Sequence, residues 1–220
     1  MKKQYRGVIF DLDGTLLNTL EIYTILMNRL LELYHLPTHD KQQYSQFIGL
    51  GTKHFITQAL PPEFRTNGNI ESLIKEFKNL YQEHYQQHSF VYNGAYKTLQ
   101  NLQFKGIKLG ILSNKLHDLT CACIRHYFPL IKFDTILGQT KRYKKPDPKG
   151  ILNISKTMRV STKRLIYVGD TEIDIQTAKQ ASIDSIGVTW GYRNKTVLQS
   201  SDPKYMVDSF DELYQVIFPY

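Results

Sequence analysis

Cysteine is nearly missing from this chain. Its 220 residues include two, Cys121 and Cys123, one residue apart in a helical pattern and too close together to found a disulfide framework. A reduced, cytoplasmic setting is the expectation that follows. Long apolar runs are missing too, since none approaches the ~18 residues a membrane-spanning helix needs. No secretory leader is read, because Lys2 and Lys3 are followed only by the short run Val8-Ile9-Phe10 before Asp11. There is no internal repeat, low-complexity tract or long linker, and the seven histidines show no Cys/His zinc spacing. What remains is ordinary globular content, 41% hydrophobic and 12% aromatic, which excludes a disordered or collagen-like chain. A chain of this length can bury enough surface to fold without disulfides or metals.

Positive charge is in excess, at net +8, but it is unevenly spread. Residues 18–91 hold six Lys/Arg against seven Asp/Glu, and the rest of the chain holds 22 against 13. The basic remainder suits either a solvated surface or the attraction of a small phosphorylated anion. No basic stripe with interleaved aromatics appears outside the Lys141-Arg142-Tyr143-Lys144-Lys145 run, so nucleic acid is not an expected partner.

Short apolar runs ending in polar residues recur at residues 6–10, 107–112, 135–137, 165–168 and 185–189, with helical patterns between most of them. Strands alternating with helices predict a parallel sheet covered on both faces, with ligands bound at the carboxyl ends of its strands. Asp147-Pro148 reads as the start of one helix and Ser209-Phe210-Asp211-Glu212 as a capping box opening the last. Residues 18–91 break the alternation. Apolar residues at helical spacing predict amphipathic helices over 19–34 and 70–85, with shorter pieces near 40–47 and 53–60. The expected organisation is an α/β core of residues 1–17 and 92–220, Rossmann-like and doubly wound, with an all-helical cap of residues 18–91 inserted after the first strand.

Four strand ends carry the chemistry. Asp11 and Asp13 follow the first strand, and two desolvated carboxylates this close call for a cation such as Mg²⁺; Gly14 lets the chain turn away. Ser113-Asn114 offers a hydroxyl and strand-end N–H groups to a phosphoryl oxygen, or a plain helix cap. Lys145, held by Lys-Pro-Asp-Pro, presents one cation rigidly. Gly169-Asp170 follows a later strand, and Asp174 lies one helical turn beyond Asp170, facing the same spot.

In order and placement these motifs resemble the haloacid dehalogenase superfamily, in its phosphoglycolate phosphatase-like branch with a helical cap. Asp11-Leu12-Asp13-Gly14-Thr15 resembles the first motif, Ser113 the second, Lys145 the third and Gly169-Asp170 to Asp174 the fourth. The resemblance implies a Mg²⁺-dependent phosphatase. Asp11 would be the nucleophile that forms an aspartyl-phosphate, Asp13 the general acid and base, and Lys145 the charge balance. Asp11, the Asp13 carbonyl and Asp170 would hold the metal, with Asp174 close by. Thr15, Ser113 and Asn114 would bind phosphate. Gly51, Thr52 and Lys53, in the cap loop Gly49-Leu50-Gly51-Thr52-Lys53, would contact substrate. Arg193 departs from the family pattern, where a smaller residue is usual. Asn18 departs as well and is read as a helix cap.

The expected partner is a small phosphorylated metabolite, with no nucleic acid and no membrane; oligomeric state stays open, a monomer being sufficient. Asp13 argues against dehalogenation, which needs no acid for an oxygen leaving group. A sugar-phosphate mutase of the β-phosphoglucomutase type and a catalytically silent binding module on the same scaffold remain alternatives.

Overall fold

The structure is a computed structural model and describes residues 4–219, so Lys2 and Lys3 lie outside the described residues. The short apolar run at the start forms β1 (Gly7–Phe10). Its side chains alternate between two buried clusters, Val8 and Phe10 on one face and Ile9 on the other. That is the period-two pattern of a strand covered on both sides. The chain then turns through β2 (Leu17–Asn18), α1 (Leu20–Leu33), α2 (Lys41–Phe47), α3 (Thr52–Ala59) and α4 (Asn67–His84), and returns in β3 (Phe90–Val91), which pairs antiparallel with β2. The four helices form an insertion whose two connections to the rest are clipped together by that small ladder. Tyr23, Phe55, Phe77 and Tyr81 pack ring against ring inside it.

Beyond the insertion the elements are α5 (Ala95–Phe104), β4 (Lys108–Leu116), α6 (His117–Tyr127), β5 (Thr135–Gln139), α7 (Lys149–Met158), β6 (Leu165–Gly169), α8 (Glu172–Gln180), β7 (Asp184–Val188), α9 (Lys195–Ser200), β8 (Tyr205–Val207) and α10 (Phe210–Ile217). The six long-range strands make one parallel sheet in the order β5-β4-β1-β6-β7-β8. The α/β doubly wound class read from sequence is what the chain adopts. After β1 the chain builds outward through β4 and β5, then crosses back to β6 on the other side. The carboxyl end of β1 is therefore where strand order reverses, the place where such sheets bind ligands.

Three local readings change. The strand read as ending before Ser113 runs on to Leu116, with a register irregularity against β5 after Leu112. Ser113 and Asn114 are thus strand residues, not the cap of α6. Helix α7 starts at Lys149, one residue later than read, with Pro148 as N-cap and the Asp147 carboxylate accepting from the Lys149 N–H. Asn18 lies in β2, yet its side chain still accepts from the Leu20 N–H at the start of α1. The last helix begins as expected, with Ser209 accepting from the Glu212 N–H. Among the described residues no helix is long and apolar enough to cross a membrane.

Candidate active site

Register places the motifs side by side. Phe10 pairs with Ile111 of β4 and Val168 of β6, so Asp11 and Asp170, just past the ends of β1 and β6, and Ser113, within the last part of β4, lie at the same edge of the sheet. Gly14 sits at φ +85, a conformation that favours glycine, and a Cβ there would meet the Asp170 carboxylate. The turn after β1 can lie against Asp170 only because this residue has no side chain.

Lys145 links the two sides of the cluster. Its Nζ lies 3.0 Å from Asp11 Oδ1 and 2.6 Å from Asp174 Oδ1, and the lysine is 2% exposed. The Asp11 contact has ion-pair distance but not hydrogen-bond geometry, so Asp11 Oδ1 is buried with no hydrogen-bond partner. Burial pushes Asp11 up to about 7; Lys145 pulls the other way, and Asp174 and Asp13 add to the rise. Burial, then Asp174 and Asp11, push Asp170 well above the carboxylate range, although it accepts from Thr15 Oγ1 and the Tyr192 N–H. Burial draws the Lys145 ammonium down, but Asp11 and Asp174 outweigh it and leave it above the ordinary lysine value.

These residues fit a divalent cation. Asp11, Asp170 and Asp174 each offer an oxygen, all within 4.8 Å of one another, and all three side chains are buried. Hard carboxylate oxygens suit Mg²⁺, and a cation would relieve Asp11 and Asp170, both raised by burial and in part by the neighbouring Asp174 charge. Asp11 has an unpartnered oxygen for it. Asp174 is differently placed: its Oδ1 accepts from Lys145 and Tyr167, and its Oδ2 from the N–H and hydroxyl of Thr171. Asp174 thus also anchors Lys145 and the start of α8, while standing with Asp11 and Asp170 in the cluster that could hold the cation, as its place one helical turn beyond Asp170 predicts.

Asp13 turns its carboxylate away from that cluster. It accepts from Thr19 Oγ1 at 2.9 Å, from Tyr23 OH at 3.3 Å and from Lys115 Nζ at 3.1 Å through both oxygens. Only its main-chain carbonyl remains for a part in the metal site. Lys115 was not read from the sequence. Its side chain is wholly buried, and its ammonium also donates to Tyr23 OH and sits 4.0 Å from the Tyr81 ring centroid. A buried ammonium of this kind needs its charge partner, which is Asp13.

The remaining expected site residues divide. Ser113, Asn114, Gly51 and Thr52 line one cavity with Asp11, Asp13 and Lys145. The Asn114 amide is nevertheless engaged, donating to Gly49 O and Lys145 O and accepting from the Lys145 N–H; it bolts the insertion's loop to the third motif. Thr15 spends its hydroxyl on Asp170 and does not line the cavity. Lys53 does not line it either. The sequence reading placed it on the substrate, but α3 begins at Thr52, and its helical phase turns Thr52, Phe55 and Ile56 inward and leaves Lys53 exposed. Tyr23 and Phe55 complete the insertion's wall of the cavity. Neither stands out in the sequence, where an aromatic at helical spacing looks the same in a core and in a cavity wall. Cys121 and Cys123 lie on α6 as free thiols.

Comparison with known proteins agrees with this geometry. Residues 8–188 match the sequence profile described as haloacid dehalogenase-like hydrolase. A phosphoglycolate phosphatase of Colwellia psychrerythraea is 32% identical over 97% of both chains. One of Escherichia coli K12 is 28% identical over 94% of this chain and 90% of its own length. A crystal structure from Lactobacillus delbrueckii subsp. bulgaricus, provisionally named a phosphoglycolate phosphatase, superposes with a TM-score of 0.91 at 28% identity, covering 99% of this chain and all of that one.

Proposed function

Because the chain belongs to the haloacid dehalogenase-like hydrolase family, we propose that it is a Mg²⁺-dependent phosphatase that hydrolyses a small phosphorylated metabolite through an aspartyl-phosphate on Asp11. The observation that carries this reading is the Asp11 carboxylate. It stands at the carboxyl end of the central strand with Oδ1 buried, unpartnered by any hydrogen bond and 3.0 Å from Lys145. Phosphoglycolate is the first candidate substrate, because relatives matched over nearly the whole chain carry that name.

In this reading residues 18–91 are a cap over a core of 1–17 and 92–220. Asp11 attacks phosphorus and its carboxylate oxygen bonds to the phosphoryl group as the ester oxygen leaves. Asp13 delivers the proton to that oxygen, then takes one from the water that attacks the phosphorus of the acyl phosphate, returning Asp11 and releasing inorganic phosphate. Lys145 offsets the negative charge gathered between nucleophile and phosphoryl oxygens, and Ser113 with the strand-end N–H groups holds those oxygens. A cation bound by Asp11, Asp170 and the Asp13 carbonyl would supply Lewis-acid polarisation of the phosphate. Lys115, Thr19 and Tyr23 hold Asp13 in place.

The test is phosphate release across a panel of small phosphate esters. Activity is expected to be lost in EDTA, to return with Mg²⁺ and to be poorly supported by Ca²⁺, whose larger, looser coordination shell misplaces the nucleophile. Full turnover in metal-free buffer, or no turnover of any ester with Mg²⁺, contradicts the reading.

A further inference from the structure

The loop that follows α2 is held over the nucleophile from two directions. From inside, Asn114 Nδ2 donates to Gly49 O at 2.9 Å. From outside the hold is Arg193, in the segment after β7. Its Nη1 donates to Ser45 O at 2.5 Å and its Nη2 to Ile48 O at 2.8 Å. These carbonyls belong to the last turn and C-cap of α2, where backbone acceptors lack partners within the helix and a cation meets the negative end of the helix dipole. The same guanidinium is anchored on the core, with Nε 2.9 Å from Glu172 Oε2. Glu172 opens α8, between Asp170 and Asp174. Arg193 is well covered, its side chain 13% exposed.

Gly49 and Gly51 sit at φ +127 and +91. Such a loop has little stiffness of its own, so its position over Asp11 depends on what grips it. Ile48, Gly49, Gly51 and Thr52 from this stretch line the cavity.

We propose that Arg193 is a positioning residue. Its guanidinium, anchored to Glu172 on the core, grips the carbonyls of Ser45 and Ile48 and so holds the Ile48–Thr52 wall against the substrate. The proposal rests on the reading of the site as a phosphatase centre. A planar fork can serve acceptors on two parts of the molecule at once, and a lysine ammonium cannot reproduce that geometry. Arg193 touches neither the carboxylate cluster nor the cavity, so its effect runs through the loop. Releasing the loop loosens contacts to the substrate remote from the reacting phosphorus, which shows first in KM.

The experiment compares Arg193→Ala, Arg193→Lys and Glu172→Gln with Lys195→Ala. The last removes an exposed cation in the same stretch, one that pairs with Asp208 on the surface. Steady-state kinetics use the best ester from the panel, and hydrogen exchange follows the backbone amides of residues 48–53. Arg193→Ala is expected to raise KM about tenfold, the scale of one lost charge-assisted hydrogen bond, with kcat changed less than about threefold. Exchange in the loop should quicken by a similar factor while β1 and β6 stay protected. Arg193→Lys and Glu172→Gln should fall between, and Lys195→Ala should match wild type. Arg193→Ala that matches Lys195→Ala in both KM and loop exchange overturns the proposal. So does a fall in kcat with KM and loop exchange unmoved. Hydrogen exchange reads the grip without turnover, so a wild-type chain that hydrolyses no ester would refute the phosphatase reading alone.

Discussion

Asp11→Asn is expected to lower kcat by at least ~10⁴-fold while making the metal-free protein more stable at pH 8. The first effect follows from the role of the carboxylate, since an amide of the same shape is too poor a nucleophile to take the phosphoryl group, and loss of a covalent nucleophile costs orders of magnitude. The second follows from burial. Asp11 is held up to about 7 from an ordinary value near 3.8, so the fold prefers its neutral form. The penalty for ionising it is absent below about pH 4, grows as pH rises toward 7 and is complete above that. Asparagine carries no such penalty. The stability gap between variant and wild type should therefore open between pH 4 and 7 and stay open at pH 8, on the order of 4 kcal/mol at ~1.4 kcal/mol for each tenfold in proton affinity. Mg²⁺ should narrow it by stabilising wild type alone. Steady-state rates and denaturant titrations from pH 4 to 8 check both parts. A gap that opens on acidification instead would mean that Asp11 is ionised in comfort, and the electrostatic account of the site would fall.

Lys145→Met should act in the opposite direction on stability. The lysine is buried between Asp11 and Asp174, and methionine keeps its length and apolar stem. Without the ammonium, two buried carboxylates face each other and lose their shared partner, and breaking a buried pair costs about 3–5 kcal/mol. The loss should be full in metal-free protein at pH 8. It should shrink as pH falls below about 7 and Asp11 takes up a proton. Activity should fall by ~10³-fold or more, because the charge between nucleophile and phosphoryl oxygens is no longer offset. Denaturant midpoints at pH 5 and pH 8, with and without Mg²⁺, measure this. Equal destabilisation at both pH values would show that Lys145 packs rather than neutralises.

The sheet and the strand-end acids were legible because each apolar run stops at a residue that strand interiors avoid. Val8-Ile9-Phe10 before Asp11 is the clearest case. β4 misled for the same reason: Ser113, Asn114 and Lys115 look like the end of a strand, yet the structure keeps them in it and buries them. Lys115 was invisible because a lysine in sequence reads as solvated, and only the fold brings it to Asp13, 102 positions away. Lys53 was named from the cap loop's resemblance, which carries no helix phase; on α3 it points about 100° from its neighbour Thr52, and Thr52 is the one that lines the cavity. The Arg193 grip lay beyond sequence reading altogether, because its acceptors are backbone carbonyls 145–148 positions earlier, and a carbonyl has no letter in the sequence. β8, three residues long, is too short to show a period.

The most direct measurement is acid quench of the Mg²⁺-loaded wild-type enzyme within a single turnover of its best ester, followed by peptide mapping of the phosphorylated residue. The account predicts a phosphoryl group on the peptide bearing Asp11, stable in acid, released by hydroxylamine as an acyl phosphate is, and absent from Asp11→Asn treated alike. A phosphoryl group on any other residue, its persistence in Asp11→Asn, or a burst of product with no phosphoenzyme at any quench time would contradict it.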